Sequence, residues 1–229
     1  MIYLIGGNDP KHNLSQLSFL TEFDIKKEDY VVLLGNIGYP NEETIKYLTT
    51  FPFTTLFLEG LSDNTNKLYK LEEIDWNGGK VHKIADNVLH LIRCNLYTIE
   101  GKTIFAIGGD VTYNRDMLRR DIDYYTKECP SKDELDEAVK VLTTAAYKVN
   151  YILSTIPDSR TMLQFDSNLH PNDLSNWMFD MSNKVIYDRW YFGQYPEVID
   201  RDFDKCTGIG DGIIPLGYSI ADIKNMTND

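Results

Sequence analysis

Tyr30-Val31-Val32-Leu33-Leu34-Gly35-Asn36-Ile37-Gly38 is an apolar run that stops at a glycine. A strand covered on both faces reads as a near-continuous apolar stretch, and glycine lets the chain turn sharply where it ends. The same arrangement recurs in both directions. Ile2-Tyr3-Leu4-Ile5 precedes Gly6-Gly7, Thr54 to Leu58 precedes Glu59-Gly60, Thr103 to Ile107 precedes Gly108-Gly109, and Val149 to Leu153 precedes Ser154-Thr155. Gly6, Gly35, Gly38, Gly60 and Gly193 are expected at positive φ in these turns.

Helical segments are expected between the strands, over Leu14 to Phe23, over Glu42 to Thr49 with Asn41 as N-cap, and over Lys132 to Lys148. The last has Ser131 three residues before Glu134, a capping box, and Leu135, Ala138, Val139, Leu142 and Ala146 recur at helical spacing. Strand, loop, helix and strand again predicts an α/β fold with loops gathered at the strand ends. From Val81 the pattern shifts to short strands, Val81-His82-Lys83-Ile84, Val88-Leu89-His90-Leu91 and Leu96-Tyr97-Thr98-Ile99, separated by turn residues. That shift predicts a hairpin-rich second sheet. One domain is expected over residues 1–220, followed by a polar tail over 221–229 that frays from Lys224.

With 229 residues, 42% of them apolar, the chain is long enough for one sizeable core. No stretch approaches the roughly 18 consecutive apolar residues of a membrane span, and no basic segment precedes the first apolar run as in a secretory signal. The expected location is cytoplasmic, without membrane association. Cys94, Cys129 and Cys206 are an odd number outside any C-x-x-C pattern, which reads as buried thiols rather than a disulfide frame or zinc site. His12, His82, His90 and His170 are scattered and fall in no ligand motif. A net charge of -12 argues against binding nucleic-acid phosphates, because that affinity comes from lysine and arginine displacing counterions. A protein partner fits better, with 15 tyrosines available to an interface, and a homo-oligomer is left open. Carboxylates gather at Asp121 to Glu137 and Glu197 to Asp204, where they either steer a cationic partner or keep the surface solvated.

Five short motifs close the strand runs: Ile5-Gly6-Gly7-Asn8-Asp9, Leu34-Gly35-Asn36-Ile37-Gly38, Glu59-Gly60-Leu61-Ser62-Asp63, Leu153-Ser154-Thr155-Ile156-Pro157 and Phe192-Gly193-Gln194-Tyr195-Pro196. Their order and spacing resemble the calcineurin-like metallophosphoesterases, whose motifs run G-D-x-H-G, G-D-x-x-D/G, G-N-H-D/E, T-H-x-P-P and G-H-x-H at the tips of core strands. Gly108-Gly109 is similar to that family's G-G-A-x-S segment, with Arg115 and Arg119 placed like its D-[R/K]-x-x-R continuation. Tyr124-Tyr125 with Glu128-Cys129-Pro130-Ser131 is similar to the W-W-x-x-E-x-P-S stretch of a bacterial and phage subgroup, and Trp190-Tyr191-Phe192-Gly193 matches its W-Y-F-G. The resemblance runs from Met1 to about Gly217. It implies a βαβ sandwich of two mixed β-sheets flanked by helices, with Tyr113, Tyr124, Tyr125, Tyr191 and Tyr195 near the rim of the site.

Carried over position by position, the family's ligand Asp and His of the first motif fall on Gly7 and Asp9, and its bridging Asp falls on Asn36. The ligand Asn and catalytic His fall on Leu61 and Ser62, and the remaining ligand histidines on Thr155, Gln194 and Pro196. Every position is changed. Two divalent cations close together need carboxylate and imidazole donors to hold them and acidify a bridging water. Gly7, Leu61 and Pro196 offer no side-chain donor, Asn36, Thr155 and Gln194 are neutral, and only Asp9 carries charge. The resemblance therefore implies a catalytically inactive homologue with no cofactor, acting as a binding or regulatory protein or an inhibitor of another macromolecule. One alternative is a weak phosphoesterase with a single weakly bound divalent metal among Asp9, Asn36, Asp63 and Asp110, or a nucleotide binder using Arg93, Arg115, Arg119 and Arg160. The aspartates read equally as turn caps and the arginines as ion-pair partners. A further alternative is an acidic mimic of nucleic acid.

Overall fold

A computed structural model of the chain describes residues 1–7, 9–20, 25–165, 170–193, 200–210 and 212–226. The expected strand runs form β1 (Ile2–Ile5), β2 (Tyr30–Leu34) and β3 (Thr54–Leu58), alternating with α1 (Pro10–Leu20), α2 (Glu42–Leu48) and α3 (Thr65–Leu68). There follow β4 (Glu73–Trp76), β5 (Gly79–Ala85), β6 (Val88–Leu91), β7 (Asn95–Ile99) and β8 (Lys102–Ile107). After a long connection come α4 (Lys132–Thr144), β9 (Tyr151–Ser154), α5 (Ser159–Phe165), α6 (Asp173–Ser182) and β10 (Arg189–Phe192). The chain closes with β11 (Arg201–Phe203), β12 (Cys206–Gly208), β13 (Ile213–Pro215) and α7 (Ile220–Met226).

The strands form two mixed sheets, ordered β13-β1-β2-β3-β6-β5-β4 and β11-β12-β10-β9-β8-β7. Alternate residues of each strand feed different layers. Leu4, Val32, Leu34, Leu56 and Leu58 meet Ile104, Ala106, Leu153 and Tyr191 between the sheets. Ile5, Val31, Leu33 and Phe57 lie instead with Leu17, Leu20, Leu48 and Leu68 of α1, α2 and α3. On the second sheet, Phe105, Ile107, Ile152, Trp190 and Phe192 are covered by Ala138 and Leu142 of α4 and Leu174 and Met178 of α6. The α/β expectation holds as a four-layer sandwich with apolar side chains on both faces of each sheet, which explains why the parallel strands read as unbroken apolar runs. No helix among the described residues is long and apolar enough to cross a membrane.

Several expectations need correction. The short strands β5 and β6 do not open the second sheet. β6 pairs parallel with β3 and β5 folds back on β6, so the hairpins widen the first sheet, and only β7 and β8 cross to the second. Asn41 caps α2 and Ser131 with Glu134 makes the capping box of α4 as read, but α4 stops at Thr144. Ala146 and Tyr147 sit at φ 50 and 54, and the Tyr147 N–H reaches back to the Leu142 carbonyl, ending the helix where the chain must turn into β9. Helix α1 begins earlier than expected, with Pro10 in its first turn, where a missing N–H costs nothing. Residues Lys224 to Met226, expected to fray, complete α7.

Candidate functional site

The parallel strands of both sheets end on one edge of the sandwich, the position where α/β folds collect ligands, and there their loops bond to one another. The Gly7 N–H donates to the Gly193 carbonyl at 2.6 Å, joining the tips of β1 and β10. The Gly193 N–H donates to the Thr155 carbonyl at 3.2 Å, and the Thr155 hydroxyl to the Glu59 carbonyl at 2.7 Å. The same Glu59 carbonyl accepts the Gly109 N–H at 3.0 Å. Asn36, buried and left-handed at φ 55, accepts the Ser62 N–H on its Oδ1 at 3.1 Å. Asn13 of α1, fully buried, spreads its amide over the carbonyls of Gly7, Gly35 and Asn36 at 3.1 to 3.3 Å.

Only some of the glycines here do the expected task. Gly35 and Gly38 take positive φ, but Gly6, Gly60 and Gly193 do not. A side chain on Gly6 would lie 2.3 Å from the Ile209 carbonyl, and one on Gly193 would lie 2.3 Å from the Leu34 carbonyl. They are glycines because backbone from the two sheets passes at contact distance.

Of the residues singled out from sequence, Gly7, Asn36 and Thr155 are buried in this network, Leu61 is half-buried, and Ser62 and Asp9 are exposed. Gln194 and Pro196, with Tyr195, lie outside the described residues. Asp9 accepts the Lys11 N–H at the start of α1. Asp63 is fully buried and holds two loops together, accepting the Tyr39 and Gly60 N–H groups at 2.8 Å each. Burial pushes its carboxyl up to about 6 against the pull of backbone N–H groups from Gly60, Tyr39 and Ile37. Asp110 accepts the Val111 N–H and the Asn172 amide. Asp9, Asp63 and Asp110 thus serve as turn caps, and among the described residues no group of three His, Cys, Asp or Glu side chains is arranged to hold a metal ion. Arg115 is bound to buried Glu128 at 2.5 Å, and Arg119 grips Asp123 at 2.9 and 3.0 Å. Both are engaged with carboxylates of their own loop. Tyr191 is likewise not on the rim: it lies in the core between the sheets, its hydroxyl donating to the Tyr218 carbonyl.

Sequence reasoning passed over a buried polar cluster that lies directly beneath this edge. The Glu59 side chain is 0% exposed and accepts from Tyr69 Oη at 2.9 Å, His90 Nε2 at 2.8 Å and Arg93 Nη1 at 3.2 Å. Arg93 also makes a two-pronged contact with Glu134 at 2.8 and 3.0 Å and stacks over the Tyr69 ring at 4.6 Å. Gly108 leaves the space that the Glu59 carboxylate fills. Burial alone would raise Glu59, but the His90 hydrogen bond and charge and the Arg93 charge outweigh it and hold the carboxyl down to about 2. His82 and His90 stack with their Nδ1 atoms 3.0 Å apart, so one must donate and the other accept, and the space between them holds one proton. Burial, then the neighbouring His90, pushes His82 down to about 4. The sequence did not announce the pair: a plain hairpin turning at Asp86-Asn87 would set His82 opposite Leu91, and the register shift between Lys83 and Ala85 brings His82 opposite His90 instead.

Comparison with protein-family models and with curated proteins finds no match. The assignment of activity therefore rests on the chemistry of the edge itself. Asn13, Asn36 and Thr155 spend amide or hydroxyl groups in holding its loops to one another, and Glu59, His90 and Arg93 beneath it are bonded to each other.

Proposed function

We propose that this protein is a calcineurin-like metallophosphoesterase homologue that has lost its two-metal chemistry and works as a cytoplasmic binding or regulatory protein whose partner is another protein. The observation that carries this reading is the closed edge. Thr155 and Asn36, at positions where the family has a ligand histidine and the bridging aspartate, spend their side chains on the Glu59 carbonyl and the Ser62 N–H. A neutral hydroxyl and amide so engaged are poor donors for divalent cations, which need anionic or imidazole ligands to overcome dehydration and mutual repulsion. The two mixed sheets flanked by helices, with motif loops at the ends of parallel strands, support the family resemblance.

The test is elemental analysis of protein purified without chelator, paired with hydrolysis of bis-p-nitrophenyl phosphate in added Mn²⁺ or Zn²⁺. Metal far below stoichiometric and no turnover above a denatured control are expected. One or more tightly held metals per chain, with turnover abolished by a chelator, would overturn the reading.

A further inference from the structure

Away from that edge, a cleft of about 620 Å³ opens beside β13, on the flank of the first sheet. Gln16, Phe19 and Leu20, which share one face of α1, line it together with Tyr3 of β1, Ile213 and Pro215 of β13, and Ile223 and Met226 of α7. Its size falls in the range of about 300–1,000 Å³ typical of sites that enclose small organic ligands. Among the described residues no Asp, Glu, Lys, Arg or His side chain lines it, and the ammonium of Met1, which does line it, is paired with Asp29 and Glu100. Phe19 and Met226 stand 51% and 61% exposed at its walls, an apolar exposure that folding alone does not reward. The hydroxyls of Tyr3 and of Tyr218, the latter also in the lining, make no hydrogen bond with the described residues.

We infer that this cleft is a binding site for a small uncharged molecule, mainly aliphatic or aromatic, that carries a hydrogen-bonding group. The apolar walls supply the driving force, and the Met1 ammonium at the margin is already answered by Asp29 and Glu100, so among the described residues an ionic ligand would find no unpaired counter-charge to offset its desolvation. Tyr3 and Tyr218 each offer a phenol that can donate to or accept from the ligand's polar group. Pro215, which cannot donate to a further strand, disfavours occupation of the β13 edge by an added β-strand. The site is independent of the strand-end edge and of the function proposed for it.

The experiment is a fluorescence titration of the full chain with N-phenyl-1-naphthylamine, a neutral apolar probe, displaced by 1-decanol. Saturable binding of one probe per chain is expected. Ile223→Trp, which fills the cleft, and Phe19→Ser, which removes a wall, should each weaken it at least tenfold while far-UV circular dichroism stays unchanged. Tyr3→Phe with Tyr218→Phe should weaken decanol displacement several-fold and leave the probe itself little affected. Met117→Ser with Ile122→Ser, on exposed apolar residues elsewhere, should change neither. Non-saturable binding, binding insensitive to both cleft variants, or binding lost in the Met117/Ile122 variant would overturn the inference. So would a sedimenting dimer that Ile223→Trp dissociates, since the occupant would then be a second copy of the chain.

Discussion

Replacing Glu59 by glutamine keeps the volume of the side chain and one acceptor oxygen but removes the charge that answers Arg93 and the His90 Nε2–H. Three hydrogen bonds end on that carboxylate, at 2.8 to 3.2 Å, in a position with 0% exposure. Breaking a buried ion pair from one side costs about 3–5 kcal/mol, because the remaining charge stays buried without its partner. Arg93 retains Glu134, which favours the lower half of that range. At a urea m-value of about 2 kcal/mol/M, a loss of about 3–4 kcal/mol moves the unfolding midpoint down by about 1.5–2 M. The control is Glu134→Gln, whose side chain is 34% exposed and whose charge water can replace, with an expected loss of about 1–2 kcal/mol. Both would be followed by far-UV circular dichroism and tryptophan fluorescence in the same titration. A Glu59→Gln midpoint shift no larger than that of Glu134→Gln would refute the claim that the cluster beneath the edge holds the two sheets together.

The acid limb offers a second measurement. With its carboxyl held down to about 2, Glu59 contributes stability that is present above about 4.5 and lost as pH falls towards 2, and Glu59→Gln should flatten that loss. Asp63 has the opposite sign. Its carboxyl is raised from 3.8 to about 6, so wild-type stability should fall relative to Asp63→Asn as pH climbs from 4 to 6, by up to about 3 kcal/mol at about 1.4 kcal/mol per unit. Thermal unfolding at stepped pH reads this, and a difference that moves in favour of wild type would mean the backbone N–H groups outweigh burial. Gly193→Ala puts a methyl 2.3 Å from the Leu34 carbonyl and should cost about 2–3 kcal/mol or more, against about 1 kcal/mol for Gly101→Ala, where φ is +73 and nothing lies within 4 Å. Equal losses in urea titrations would show that the loops part easily. Ser131→Ala should cost about 1 kcal/mol through its capping box, and a loss under about 0.3 kcal/mol would mean that box carries little of α4's stability.

Much of the fold was legible because its determinants are local. β1, β2 and β3 are marked by apolar runs stopped by glycine, and α2 and α4 by caps within three residues of their starts. What was hidden depends on pairing at long range. Val88-Leu89-His90-Leu91 reads as an ordinary hairpin strand, yet all four residues are buried because it lies between β3 and β5, and nothing within the run announces that neighbour. His90 and Arg93 reach Glu59 across 31 and 34 residues, so neither histidine spacing nor a scan for ligand motifs brings them together. Gly35 and Gly38 do take the expected positive φ, but Gly6 and Gly193 were assigned the wrong reason for the same cause. A positive φ is a local property that sequence can suggest, whereas the approach of Gly6 to Ile209 and of Gly193 to Leu34 depends on how two sheets dock.

Glu59 joins these separate facts. Its carboxylate fixes β6 and the following segment through His90 and Arg93, while its carbonyl takes the Thr155 hydroxyl and the Gly109 N–H from the second sheet. One residue at the tip of β3 therefore links both sheets by side chain and backbone at once. In a metal centre the cation would do that linking, by drawing ligands from several strand ends to one point. On the function proposed above, the link runs through buried neutral groups at the edge and a set of paired charges beneath it. On that reading the fold would not need metal to stay folded, and the exposed positions Asp9 and Ser62 would be the ones to change with a partner. Stability and recognition are then carried by different residues, which is the condition under which a fold can outlast its chemistry.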